Sequence, residues 1–426
     1  MILREKSMQQ EVKAFLSHAQ TCYVSQEEFL RIKRENQRIS YFGINGLYFI
    51  EGAELKNLQD VCIKIIHTKH GRDIITDKEI VSILENNVMV QKVTGQDMSG
   101  QVLKSLEELS CKNIHYIASN YAIRLNGVSE FSIGPITCKL TKDLKSKFPE
   151  ALEDANIVID QTSQPGGHNE LDPLLFPLSE QCFIISMKCS FGAADRFAQT
   201  NIEVALSLLR FYLFKHKMTF GHFPYINSLD PLSFQQRERK RKSIIIEGGK
   251  NNNGVIFTNH PIYEVNQHVI DALANDDFYN VCDAIFNAPD KTINAPLKKA
   301  LSWMTKARQS DDWSLRFLFF FTALEALLAD EGKQGPVTDI LARNIAAIVA
   351  DVEFREDVFC EIKKLYDIRS KLIHAGANGV VSEAACASLQ LYAETVCLKI
   401  INTSLNLPNL DFQKKLKKVS FGLEWT

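Results

Sequence analysis

The sequence predicts an α+β N-terminal region followed by an all-α helical bundle, and three observations carry that division. Residues 39–140 hold short runs rich in β-branched and aromatic residues, punctuated by glycine and asparagine, as strands and turns are. From about residue 261 the apolar residues recur at three- and four-residue steps, the period of a helix with one buried face. Within that helical part, Asn-Ala-Pro-Asp at 287–290 interrupts the pattern and marks the expected boundary. Residues 1–290 are therefore expected to form an α+β domain of unassigned fold, 291–409 a helical bundle, and 410–426 a basic tail.

A chain of 426 residues makes two or three domains, each with its own core. Its formal net charge of -2 excludes a global field that attracts nucleic acid, so any such contact falls to local patches. Ten cysteines are scattered without a C-x-x-C pair, which argues for a reducing compartment and against a disulfide framework or a zinc site. Residues 1–6 lack the apolar core of a signal peptide, and no uninterrupted apolar run reaches bilayer length. The expected location is cytoplasmic, without membrane contact.

Taken in order, residues 1–38 begin as a helix, 39–50 read as a strand pair, and 61–66 as another strand. Short helices are expected at 77–86 and 99–109. Asn126-Gly127, flanked by strand-like runs, signals a hairpin. The charged, turn-rich segment 141–177 reads as an excursion, 181–188 as a buried strand, and 193–216 as a helix. Two strands at 243–246 and 254–257 follow, preceded by Arg237-Glu-Arg-Lys-Arg-Lys242, the densest basic run. That run, like Lys414-Lys-Leu-Lys-Lys418, reads either as a solvated loop that blunts a sheet edge or as a surface that tracks phosphates, and the first is favoured. A helix is expected over 265–286, then one over 297–306. Asp311-Asp312 can cap a helix at 313–328, and Pro336 suits the first turn of the next. Ser382 can cap the last helix, which runs toward Leu405. The helix at 313–328 is apolar almost all round and belongs in the middle of a bundle or at a subunit interface.

One position breaks this regularity. Val358, Ile362, Leu365 and Tyr366 form an apolar stripe, and Arg369 falls next in it. A guanidinium there needs a carboxylate partner or an opening to water, since desolvating it alone costs several kcal/mol. Six residues, Arg369-Ser-Lys-Leu-Ile-His374, carry an arginine, a small polar residue and a histidine, and Gly376 and Asn378-Gly379 then offer a helix stop. The arginine–histidine pair matches the R-x4–6-H motif of HEPN domains. With FTALEALL at 321–328 and YDIRS at 366–370, the stretch 295–405 resembles the ApeA-like branch of that superfamily. Arg210 and His216 also satisfy the spacing, but an aromatic follows the arginine, and that pair reads as the solvated edge of a helix.

The resemblance implies metal-independent RNA cleavage at the interface of a homodimer, with no cofactor and no bound metal. The residue types suit that chemistry. A 2′-hydroxyl must attack the adjacent phosphorus while the 5′-oxygen leaves. Histidine moves protons near neutral pH, a form of help that contributes about 10²- to 10⁴-fold. Arginine clamps a phosphate with parallel N–H bonds, and Ser370 can donate one more. Five residues on an unbroken helix turn a side chain by about 140°, so Arg369 and His374 do not face one phosphate from one straight helix. Either the helix unwinds near His374 or each pocket combines two subunits. Glu325, in the middle of the apolar helix, is expected to pair with Arg343 or Arg369, and in the second case to position the site.

Three functions compete: an antiviral or toxin endoribonuclease gated by its N-terminal domain, a catalytically silent HEPN module that binds RNA, a nucleotide or a protein, and a plain helical dimerisation domain. The intact arginine, serine and histidine favour the first. No phosphate loop or second catalytic set is visible in residues 1–290, so recognition of a phage or stress trigger is their expected task.

Overall fold

The computed structural model describes residues 6–24, 48–49, 60–62, 75–148, 157–159, 176–178, 180–215, 230, 238–247, 250–259, 262–329, 337–375 and 381–425. The chain forms two compact units, one of residues 1–116 with 186–198 and the other of 117–185 with 199–426. Residue 290 lies inside the second unit, so the expected boundary there does not coincide with the division between units.

The first unit is built on α1 (Lys6–Cys22), α2 (Asp77–Thr94) and α3 (Ser99–Ser110). Their apolar faces close on one another through Val12, Leu16, Ile80, Leu84, Val88, Val102 and Leu106. Two short strands, β1 (Tyr23–Val24) and β2 (Tyr48–Phe49), pair antiparallel. Thr76 caps α2 in a reciprocal box with Glu79, which removes orphan amides at the helix start. The same carboxylate accepts from Ser190 Oγ at 2.5 Å and from the Gly192 amide at 3.1 Å. The strand expected at 61–66 begins as helix instead, since residues 60–62 are helical and Val61 and Cys62 enter this helical core.

The strand region contains β3 (Asn113–Ser119), β4 (Ile123–Leu125), β5 (Glu130–Ile133) and β6 (Ile136–Leu140), then the single helical turn α4 (Leu144–Lys147). Beyond these come β7 (Ile157–Ile159), β8 (Phe176–Leu178) and β9 (Gln181–Lys188). A four-stranded sheet has the order β3–β9–β6–β5, and β7 and β8 pair parallel. The hairpin lies one turn later than expected. β5 and β6 pair across Gly134, which has φ 55° and packs so closely on the Phe286 ring that no side chain fits. Asn126-Gly127 instead ends β4, which runs parallel to β12 (Tyr263–Val265), and the Asn126 amide donates to the Val265 carbonyl at 2.8 Å. The segment expected as an excursion is packed at its start, with Thr141 and Leu144 buried.

Helix α5 (Ala194–Lys215) is buried over most of its length rather than on one face. The ribbon β10 (Glu238–Glu247) and β11 (Lys250–Asn259) is longer than its two expected cores, and residues 238–242 of the basic run belong to a strand, not a loop. The helix expected over 265–286 is divided. Val265 ends β12, Asn266 caps α6 (Gln267–Ala274), and α7 (Phe278–Phe286) follows the break at Asn275-Asp-Asp277.

Then come α8 (Asn294–Gln309), α9 (Trp313–Leu328), α10 (Val337–Val349), α11 (Arg355–Ala375) and α12 (Glu383–Ser404). The caps expected at Asp312 and Ser382 are present, accepting from the Leu315 and Ala385 amides. Helix α9 is the middle of the bundle, with Phe317, Phe320, Phe321, Leu324 and Leu327 buried within the single chain. Its apolar character is thus spent on packing inside the subunit, which removes it as an argument for a dimer interface. Helix α12 is long and apolar enough to cross a membrane by length and composition, and its buried residues Leu389, Val396 and Ile400 make it a core helix of this bundle. The expected basic tail is largely α13 (Asn409–Ser420), which buries Phe412, Leu416 and Val419. Of the nine cysteines whose side chains are described, seven are buried free thiols.

A buried polar network holds the second unit together across residue 290. Asp230, fully buried, accepts from Arg210 Nη1 at 2.8 Å, Arg308 Nε at 2.7 Å and the Tyr263 hydroxyl at 3.0 Å. Arg308 also donates to Ser207 Oγ at 2.7 Å and to Glu394 at 3.3 Å, while Arg210 lies 3.5 Å from Glu394. Two guanidinium groups thus meet two carboxylates. Arg210 is consequently not on a solvated helix edge, which corrects that expectation, and His216 lies outside the described residues. Burial pushes the Asp230 carboxyl up, and Arg308 and Arg210 more than reverse it, leaving it below the ordinary aspartate value.

Removing one partner of a buried pair strands the other, at a cost of about 3–5 kcal/mol. Asp230→Ala is therefore expected to lower the unfolding free energy by about that much, read from the denaturant midpoint. The pH dependence has a definite sign. A depressed folded pKa adds stability above the unfolded value of about 3.9 that is lost as pH falls through the folded value, so wild type should lose more stability below about pH 4 than Asp230→Ala does. Equal acid sensitivity in the two proteins would contradict this assignment.

Candidate functional site

Arg369 sits on α11, a helix with acidic Glu356 and Asp357 in its first turn and His374 in its last, the arrangement that complements the helix dipole. Ile362, Leu365 and Leu372 bury one face of α11, and Arg369 lies beside that face. The open question of its partner has a direct answer. Arg369 Nη2 donates to Glu325 Oε2 at 3.1 Å, and both side chains are 22% exposed. Arg343, the other partner considered for Glu325, is exposed.

Tyr366 completes the arrangement. Its hydroxyl accepts from Arg369 Nη1 at 3.2 Å, and the guanidinium carbon stands 5.0 Å from its ring centroid. The ring in turn packs edge-on against Phe321, with centroids 5.5 Å apart and planes at 85°. Phe321 and Glu325 are one turn apart on α9, and Tyr366 and Arg369 one turn apart on α11. Two helices therefore hold one guanidinium, through Glu325 on α9 and Tyr366 on α11. Tyr366 had a minor place in the sequence reading, and its one-turn spacing from Arg369 was the signal for a larger one.

The guanidinium is not saturated. Its Nε is buried and makes no hydrogen bond within the chain. Burial raises the Glu325 carboxyl above the ordinary glutamate value, with Arg369 pulling the other way. Burial likewise raises the Tyr366 phenol, so it stays protonated.

Ser370 is half-buried, and His374 and Asp367 are exposed. The helix is continuous through Ala375, so it does not unwind to bring His374 round to Arg369. On regular α-helix the two residues stand about 140° apart around the axis and about 7.5 Å along it. The structure thus brings together Arg369, Glu325 and Tyr366, and leaves His374 on another side of the same helix. Among the described residues no group of three His, Cys, Asp or Glu side chains is placed to hold a metal ion. Trp303, Phe317 and Phe320 are core or near-core residues, as their helical spacing predicts; Trp303 stacks on Phe319 at 5.4 Å. Comparison with protein-family models, with curated proteins and with solved structures found no match to this chain.

Proposed function

We propose that this protein is a metal-independent endoribonuclease of the HEPN type. The observation that carries the reading is Arg369, a guanidinium fixed by Glu325 and Tyr366 with a buried, unpartnered Nε, five residues before an exposed histidine on one continuous helix. Arg369 would take the scissile phosphate and hold the charge that develops there. His374 would remove the proton from the attacking 2′-hydroxyl, and Ser370 would add a hydrogen bond to a phosphate oxygen. The 2′-oxygen bonds to phosphorus as the bond to the 5′-oxygen breaks, leaving a 2′,3′-cyclic phosphate and a 5′-hydroxyl that takes its proton from water.

The helix geometry bears on the assembly. One α11 does not present both groups to one phosphate, so the pocket is proposed to combine α11 helices of two copies. The setting proposed is antiviral defence or a toxin, since an uncontrolled ribonuclease damages its own cell. The first compact unit is the candidate for recognising a phage or stress trigger, which must favour one state of the protein by a few kcal/mol to act as a switch.

A second reading has a specific observation behind it. Arg369 is already paired with Glu325, which suits a silent HEPN module that binds a phosphate, nucleotide or protein partner without cutting.

Products decide between the two. Purified protein should yield RNA fragments ending in 2′,3′-cyclic phosphate, with cleavage persisting in EDTA. Arg369→Ala and His374→Ala should each lower the rate by at least about 10²-fold in protein that remains folded. Full activity in either folded variant would remove the assignment, and a strict need for magnesium or manganese would remove the mechanism.

Glu325→Gln separates positioning from stability. A raised folded pKa means that the carboxyl's contribution to stability is fully present below the unfolded value, about 4.3, and is lost as pH rises through the folded one. The variant should therefore melt at the wild-type temperature or above at neutral pH, while cleavage falls. A variant that is less stable at neutral pH than at acid pH relative to wild type would reverse this sign.

The dimer carries its own measurement. An interface of standard size, about 1,600 Å² in total, should give a stable dimer at micromolar concentration. Sedimentation showing only active monomer would rule out the shared pocket.

A further inference from the structure

One side chain fastens residues 419–423 to the start of α11. Arg355 donates from Nε to the Ala350 carbonyl at 3.3 Å, from Nη1 to that of Val419 at 2.6 Å and from Nη2 to that of Leu423 at 2.7 Å. After α13 the chain turns at Gly422, whose φ of 99° favours glycine. Trp425 fixes the residues beyond the turn, its Nε1 donating to Thr403 Oγ1 at 2.9 Å and its ring lying edge-on to Phe412. These contacts hold 421–425 in place, yet they leave its apolar side chains outside.

Around Arg355, the side chains of Val352, Phe354, Leu423 and Phe421 are between 49% and 80% exposed. Four of the fourteen exposed large hydrophobic side chains among the described residues thus stand in one neighbourhood, a concentration that marks an interaction surface rather than scattered surface residues. The charges beside them are sorted by sign. Asp351, Glu353, Glu356 and Asp357 are exposed on the α11 side. Lys417 and Lys418 are exposed on the last turn of α13, and Glu424 is the one carboxylate in 412–425. None of Glu353, Glu356, Asp357, Lys417 and Lys418 is in an ion pair among the described residues.

An RNA strand or an anionic lipid surface drawn to the lysines would meet four carboxylates, so neither suits the whole face. A copy of the same face does. Turned about a twofold axis, the acidic start of α11 in each copy meets the α13 lysines of the other, and the apolar side chains meet between them.

We propose that this face, Val352, Phe354, Phe421 and Leu423 flanked by Glu353 and Glu356 on one side and Lys417 and Lys418 on the other, docks a second copy of this chain. The inference does not use the ribonuclease reading. It also concerns a different contact from the shared pocket, since positions 355 and 374 lie about 28 Å apart along α11 at 1.5 Å per residue.

The test is sedimentation of the purified full chain. Wild type self-associates at micromolar concentration, and Phe421→Ser/Leu423→Ser weakens that step by at least about tenfold. Lys417→Glu/Lys418→Glu and Glu353→Lys/Glu356→Lys each weaken it to a similar extent, because like charges then face one another. Mixed, these two variants associate with each other at least as tightly as wild type does, since one now carries mainly negative flanks and the other mainly positive ones. Lys417→Gln/Lys418→Gln replaces the first charge variant if that one does not fold, and weakens the step by a smaller factor. Wild type that stays monomeric at micromolar concentration would overturn the proposal. So would folded Phe421→Ser/Leu423→Ser that associates as wild type does, or two folded charge-reversed variants that fail to associate when mixed. Ile373→Ser/Leu391→Ser, at the other end of α11, leaves this step unchanged; loss of all association in that variant while Phe421→Ser/Leu423→Ser keeps it would overturn the assignment as well.

Discussion

The second compact unit depends on Asp230 lying between Arg210 and Arg308. All three side chains are at most 3% exposed. Desolvating two guanidinium groups costs several kcal/mol each unless carboxylates and further acceptors meet them, and Asp230, Glu394 and Ser207 do so. The consequence is one of connectivity. Arg210 comes from α5, Arg308 from α8 and Glu394 from α12, while Tyr263 reaches Asp230 from β12. Elements on both sides of residue 290 share one set of charges that none of them can satisfy alone. A chain beginning at 290 would keep Arg308 and lose Asp230, Arg210 and Ser207. The helical bundle is therefore not a domain to be excised, although its sequence reads like one. Buried ion pairs are weak contributors to net stability, but they penalise wrong arrangements heavily, and here that penalty ties strand and helix regions into a single unit.

Much of the bundle was legible because its determinants are local. The apolar period located α8 to α12 closely, and Asp312 and Ser382 announced two helix starts through caps that act within three residues. The errors share the opposite property. Arg210 looked solvated because its partners stand 20 and 184 positions away in the chain. Asn126-Gly127 looked like a hairpin turn, yet β4 pairs with a strand 140 residues on, so the turn chemistry was right and its partner wrong. The division of 265–286 was in fact written in Asn275-Asp-Asp277, which the apolar period on either side masked. The apolar face of α9 was read correctly as deeply buried, but periodicity does not say whether a neighbouring helix or another subunit covers it.

The site was legible in the same uneven way. An arginine in an apolar stripe and a glutamate in an apolar helix each predict a partner, and the two turn out to be partners of each other. That pairing sets a physical condition on the proposed chemistry. A phosphate arriving at Arg369 replaces or shares an existing carboxylate interaction, so the net gain is the difference between two charge-assisted contacts, not the whole of one. Two features reduce that cost. The Nε donor makes no hydrogen bond within the chain, so an anion that reaches it, once the side chains over it shift, adds a contact without replacing one. Burial also raises the Glu325 carboxyl, so its charged form is held less firmly than a solvated glutamate's.

His374 imposes the remaining constraint, and it comes from helix geometry rather than energetics. A residue at the exposed end of a continuous helix, about 140° around from Arg369, does not stand on the same face of α11. If both act on one RNA, the second group comes from another α11. Most of the apolar surface of α9 is covered by its own chain, with Leu315 left 48% exposed. Among the described residues Ile373 on α11 and Leu391 on α12 are each 48% exposed and offer apolar surface on those helices. Such partly exposed surface is more polar than a core and suits an association that forms and dissolves.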